Sequence, residues 1–114
     1  MALGQTNDFV WDYSESSDIF NIHRKNIKVE GSAELGDFTI DFGLHGKIIG
    51  VEIMNVSGFL KEADVSSEQL QVLQGAELRL IVGKGNITYL WITLMLPQNI
   101  QRKIAIPAPV LKVK

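Results

Sequence analysis

The side chains able to do acid–base or metal chemistry gather in the first half of the sequence. Asp12, Glu15 and Asp18 surround one polar turn, Ser14–Ser17, while Asp37, Asp41 and Glu52 fall on neighbouring predicted strands, where Asp41 and Glu52 could share a face. Oxygens at turn spacing suit a hard cation such as Ca²⁺ or Mg²⁺. Two close carboxylates also raise one pKa for general acid–base work. The spacing matches no EF-hand loop, however, and serines stand where further oxygen charge would be wanted. Acids on strand faces more often serve as solvated positions that discourage edge pairing. The only histidines, His23 and His45, are 22 positions apart, whereas a hydrolytic metal site needs two or three converging ligands. His45, in Gly43-Leu44-His45-Gly46, reads as a turn residue that tolerates an unusual φ. Asp12, Glu15, Asp18, Asp41, Glu52 and His45 are therefore the candidate metal or hydrolytic residues, and the balance goes against all of them. The expectation is no catalytic set, no cofactor and a protein that is not an enzyme.

Other catalytic patterns are weaker. Serines 14, 16, 17, 66 and 67 sit in no Gly-x-Ser-x-Gly elbow and read as turns and caps. Gly83-Lys-Gly85 lacks the Gly-Lys-Ser/Thr ending and following helix of a phosphate loop, so it reads as a hairpin turn. Arg79, Lys84, Arg102, Lys103, Lys112 and Lys114 lie near Tyr89 and Trp91 in sequence, a mixture that could bind single-stranded nucleic acid by phosphate contact and stacking. Tyr89 and Trp91 instead alternate with apolar neighbours as core residues do, and the acidic first half would repel phosphate.

The elements that must position these residues follow from length and periodicity. The 114 residues carry 46% hydrophobic and 21% charged side chains with a net charge of -2, as in one globular domain. Zero cysteines exclude disulfides and thiol chemistry. The first residues show no basic and apolar leader pattern, and the apolar run 87–96 is half of what a membrane helix needs, roughly 20 residues. A soluble, cytoplasmic protein is expected, in which the Asn55-Val-Ser57 and Asn86-Ile-Thr88 triplets carry no glycan. Residues 1–64 hold eleven acids and five bases, net -6, and residues 65–114 two acids and six bases, net +4. That split means either attraction between two halves of one fold or a partner surface.

Period-2 alternation dominates. Asp37–Phe42 and Lys47–Met54 form one hairpin; 76–82 and 87–96 form another. Ile87, Tyr89, Trp91 and Met95 occupy one face of the last strand and Leu90, Ile92, Leu94 and Leu96 the other, which predicts a central strand covered on both sides or a strand at a subunit interface. Pro97 ends or kinks it. Weaker strands are Phe9–Tyr13, Asp18–Ile22, Lys28–Leu35 and Gln101–Ile106. Ser66 with Gln69 forms a capping box, with Val65 and Leu70 at staple positions and Gly75 at the far end, predicting a helix of nine residues. Asn55–Glu62 adds a turn capped by Ser57, with Phe59 and Leu60 inward. The expected fold is a β-rich α+β domain over residues 1–114, a mostly antiparallel sheet of about seven strands with one or two short helices.

The segment from Trp11 to Leu60 resembles the small bacterial and archaeal family called domain of unknown function 2283. Asp18-Ile-Phe-Asn-Ile22 fits its Asp-x-Leu-Tyr-Ile block, Gly46-Lys-Ile-Ile-Gly-Val-Glu-Ile53 its Asp-Gly-x-Ile-x-Gly-Ile-Glu-Ile block, and Asn55-Val-Ser57 its Asn-Ala-Ser segment. Gly50 and Glu52 fall on the most recognisable positions. The chain departs from the pattern at Gly43-Leu44-His45, which has no carboxylate, and at the tyrosine–aspartate pair, which falls either on Tyr13-Ser14, lacking the acid, or on Trp11-Asp12, with a longer turn. The resemblance implies a β module at 11–60 that pairs with itself or a partner; it assigns no activity and no catalytic residue. Residues 65–114 lie outside it.

The excess of apolar strand is the main functional clue, since one short chain has few helices to cover a sheet. Ile87, Tyr89, Trp91, Ile92, Leu94, Leu96, Ile104 and Ile106 are the expected interface of a homodimer. The alternative is two packed sheets within one chain. The sequence thus favours a non-enzymatic homodimeric binding or structural module. Two other readings are an antitoxin-like regulatory partner whose acidic half binds a small basic protein, and a metal-binding or hydrolytic protein using the acids.

Overall fold

The computed structural model describes residues 2–6, 8–82 and 88–108. Among these residues nine strands form two antiparallel sheets. The first has six strands in the order β1-β2-β3-β6-β5-β4, from β1 (Ala2–Gln5), β2 (Phe9–Ser14), β3 (Ile19–Arg24), β4 (Gly31–Leu35), β5 (Phe38–Phe42) and β6 (Ile48–Met54). The second is the meander β7 (Gly75–Val82), β8 (Thr88–Leu96) and β9 (Ile100–Ala108). Two short helices, α1 (Val56–Lys61) and α2 (Ser67–Leu70), join the sheets.

Alternation in the sequence becomes two-faced strands. In β2, Phe9, Trp11 and Tyr13 turn inward while Val10, Asp12 and Ser14 stay partly exposed. Inward rows such as Trp11–Ile22–Val51–Ile40 run across four strands. The same core contains Leu78, Leu90, Ile92, Leu94, Ile104 and Ile106 of the meander and Val56, Leu60, Val65 and Leu70 of the helical link. One apolar cluster therefore holds both sheets.

Both predicted hairpins form: β5 pairs with β6 around a 3₁₀ turn at Leu44–Gly46, and β7 pairs with β8. His45 takes φ 62°, as read from its place in the turn. Pro97 ends β8 and opens a 3₁₀ turn. The turn at 83–87, with Ile87, lies outside the described residues.

Four expectations are corrected. β1 was not anticipated, because its small and polar residues carry no alternation. It pairs with β2 and places Gly4 opposite Trp11, where any Cβ would collide with the indole ring. The second helix has its predicted capping box, Ser66 with Gln69, but covers only four residues. It stops early because the Gln74 amide donates to the Met95 carbonyl at 2.9 Å, which draws the chain into β7. Ser57 is not the cap of α1; it lies inside the helix, and Asn55 stands at the cap position with φ 55°. Finally, β8 is central but one-sided: Leu90, Ile92, Leu94 and Leu96 are buried, while Tyr89, Trp91, Thr93 and Met95 are half-buried on the other face.

Candidate functional site

The outer face of the six-stranded sheet collects most of the candidate acids. Register places Asp12, Asn21, Glu52, Thr39 and Glu34 in one row across β2, β3, β6, β5 and β4. The adjoining row is Val10, His23, Gly50, Asp41 and Ser32. Asp41 and Glu52 do share this face, on adjacent strands and two residues apart in register. Gly50 is required there, since a Cβ would stand 2.7 Å from the His23 Cβ. This gives the most recognisable glycine of the segment a packing role.

The acids do not converge. Asp12 and Glu52 are separated by β3, about 10 Å of sheet at ordinary strand spacing. Asp12 accepts from Asn21 Nδ2 at 3.1 Å and Asp41 from the Ser32 hydroxyl at 2.6 Å. Glu15 accepts from Gln71 Nε2 at 2.6 Å, which ties the β2–β3 turn to the end of α2. His45 follows the end of β5, whereas Glu15 and Asp18 sit in the β2–β3 turn at the opposite rim of the sheet. Among the described residues, no three His, Asp or Glu side chains are placed to hold a metal ion. The metal or hydrolytic reading called on Asp12, Glu15, Asp18, Asp41 or Glu52 with His45; register puts Asp12, Asp41 and Glu52 on one sheet face and leaves Glu15 and Asp18 at the rim opposite His45.

Asp18 instead does structural work that spacing along the chain does not reveal. With φ 55°, its carboxylate accepts from the Ser57 amide at 3.1 Å and the Ser57 hydroxyl at 2.7 Å, and from the Tyr13 hydroxyl at 3.3 Å. Its carbonyl accepts from the Val56 amide at 3.2 Å. The first turn of α1 is therefore capped from 39 residues upstream. Asn55 makes no cap bond and donates to Asp37 Oδ1 at 3.3 Å. Burial first, then the charge and hydrogen bond of Asp18, push the Tyr13 phenol above its usual 10.0. Asp18 and Ser57 were each conspicuous in the sequence, Asp18 as an acid and Ser57 in the Asn-Val-Ser segment, but nothing in the spacing joined them.

The residues expected at a dimer interface divide into two groups. Ile92, Leu94, Leu96, Ile104 and Ile106 are buried within the chain, so they need no second copy to cover them. Tyr89 and Trp91 are on the outer face of β8, opposite Ile81 and Arg79 of β7. The basic Arg79 and Lys103 share that face. Among the described residues, no helix is long and apolar enough to cross a membrane.

The class defined by this geometry is a two-sheet antiparallel β protein with an acidic outer face on its larger sheet. Residues 11–57 match the family described as protein of unknown function (DUF2283), which is the family the sequence resembles. The match covers a segment only. It runs from β2 to the first turn of α1, so it holds five of the six strands of the larger sheet and closes on Ser57, the partner of Asp18. β1, α2 and the meander lie outside it. No curated protein and no solved structure matches the chain.

Proposed function

We propose that the protein is a non-enzymatic binding or structural module that works as a homodimer in the cytoplasm. One observation supports this reading above others. β7 is an edge strand of eight residues carrying exposed Leu80 and Ile81, and no described strand pairs with its free side. Exposed apolar edges invite another strand, and a symmetric second copy is the commonest partner. Sedimentation equilibrium of the whole chain across the micromolar range tests the reading. A dimer mass is expected; a single species of 12.7 kDa at every concentration overturns it.

A second reading has its own observation. The strand positions on the outer face of the larger sheet carry Asp12, Glu34, Asp41 and Glu52 and no Lys or Arg. Such a single-sign face attracts a basic protein in a salt-dependent way, as expected of a regulatory partner. Capture of a basic protein that is released by salt and lost on Asp12→Asn with Glu52→Gln supports it. Binding indifferent to both overturns it.

A further inference from the structure

Among the described residues the two sheets leave four open edges, and these differ in how they are guarded. β1 is four residues long and β4 five. β9 is long but contains Arg102, Lys103 and Pro107, the charges and proline by which natural edges resist pairing. β7 has no proline and no lysine over eight residues, about 27 Å of strand. Its Glu77, Arg79, Leu80 and Ile81 are exposed, with Leu80 at 50% and Ile81 at 38%.

The order of residues along β7 is complementary to itself. Reversed about Leu78, Gly75-Ala-Glu-Leu-Arg-Leu-Ile81 sets Glu77 against Arg79, Ala76 against Leu80 and Gly75 against Ile81. The acid meets the base, Leu80 and Ile81 meet the small Ala76 and Gly75, and Leu78 meets its own copy on the axis. Neighbouring registers lose this match. An axis at Arg79 opposes Arg79 to itself, an axis at Glu77 opposes Glu77 to itself, and an axis at Leu80 leaves Glu77 without its base. Faces are conserved as well, because a rotation about a residue keeps odd positions with odd ones: Glu77, Arg79 and Ile81 on the outer face with Trp91 and Met95, Ala76, Leu78 and Leu80 on the inner.

From this we infer that two copies of the chain join edge to edge through antiparallel β7 strands, with a two-fold axis at Leu78, making one six-stranded sheet from the two meanders. Residues 75–81 of each copy supply the ladder. Two Glu77–Arg79 pairs flank the axis symmetrically and select this register over its neighbours, since opposite charges directly across a ladder favour pairing and like charges oppose it. Leu80 and Ile81 then lie beside the small positions of the partner instead of facing water. The inference rests on the homodimer reading and adds to it a surface, an orientation and a register.

Charge exchange on the whole chain tests it by sedimentation. Arg79→Glu and Glu77→Arg each place two like-charge pairs at the interface and are expected to weaken the dimer about tenfold or more. The double variant Glu77→Arg with Arg79→Glu restores opposite pairs and is expected to return to wild-type affinity. Arg79→Gln serves as a milder second variant should the reversal unfold the chain, and is expected to weaken the dimer less. A further readout uses the absence of cysteine from the sequence. Glu77→Cys with Arg79→Cys places thiols opposite one another and is expected to cross-link on oxidation, while either alone does so far more slowly. A dimer indifferent to all these changes overturns the register but leaves the homodimer reading intact. A wild-type chain that stays monomeric overturns both.

Discussion

The two sheets share an interior and differ in what they turn outward. Inside, Phe20, Ile22, Val51 and Ile53 of the larger sheet and Leu90, Ile92 and Leu94 of the meander belong to one buried cluster. Outside, the larger sheet shows acids in hydrogen-bonded rows with Asn21 and Ser32. The meander shows Tyr89, Trp91 and Met95 beside Arg79 and Lys103. The charge split of -6 and +4 between the two parts of the sequence puts four of the acids on one outer face and Arg79 and Lys103 on the other. It does not hold the parts together: the one ion pair among the described residues is Arg102 with Asp64, at 3.7 Å and largely exposed. Such a pair contributes little. Apolar burial joins the sheets, and charge remains free for other uses.

The largest effects should come from that shared interior. Ile53→Ala in β6 and Ile92→Ala in β8 each remove a side chain that is 1% exposed. Each is expected to cost about 2–5 kcal/mol through lost transfer energy and the cavity left behind. Since both belong to one cluster, both should lower the midpoint of the same single urea transition. Two transitions, one responding to each substitution, would break the view of two sheets around one core.

Next is the cap that closes the family-like segment. Asp18→Ala removes the acceptor for the Ser57 amide and hydroxyl and leaves the Tyr13 hydroxyl without its partner. The expected loss is about 1–2 kcal/mol by equilibrium unfolding, the scale of a lost cap plus an unsatisfied group. Asp18→Asn should lose less, because asparagine tolerates the φ of 55° and keeps one acceptor oxygen. Equal losses for both would assign the effect to charge alone.

Alkaline pH gives a smaller effect at the same place. The Tyr13 phenol is raised by burial and by Asp18, so the folded state holds its proton more tightly than the unfolded chain does. That contribution is fully present below pH 10.0, the unfolded value, and is lost as pH climbs through the higher folded value. Unfolding midpoints should therefore decline above pH 10, and Tyr13→Phe should flatten the part of the decline due to this residue. An unchanged slope in the variant would show that other groups carry it.

How much of this was legible in the sequence differs between the two sheets. Strict alternation at Asp37–Phe42 and around Gly50 and Glu52 made β5 and β6 readable, because one inward face dictates register. β8 was readable as a strand but not in its covering. Ile92 and Leu94 point to a buried side, yet only the three-dimensional order β7-β8-β9 reveals that Trp91 and Met95 have no such cover. β1 was invisible because Gly4 answers the bulk of Trp11 rather than any local pattern. The site suffered most. Whether Asp12, Asp41 and Glu52 meet depends on which strands lie between them, and the Asp18–Ser57 contact spans 39 positions. Local periodicity carries neither.

The smallest effect concerns the acidic face and decides what its charges are for. Asp12 and Glu52 lie partly exposed, with only Asn21 bonded to Asp12 and no salt bridge to either among the described residues. Neutralising surface groups of this kind changes stability by no more than about 0.5 kcal/mol. Asp12→Asn and Glu52→Gln are therefore expected to leave urea midpoints nearly unchanged while removing two of the four carboxylates that make the face single-signed. If stability instead drops by more than about 1 kcal/mol, these acids belong to the fold as Asp18 does, and the contrast between a spent interior and a free exterior fails on this sheet. If stability holds and the variant no longer captures a basic protein at low salt, the charge is functional, and the larger sheet is a surface for a partner.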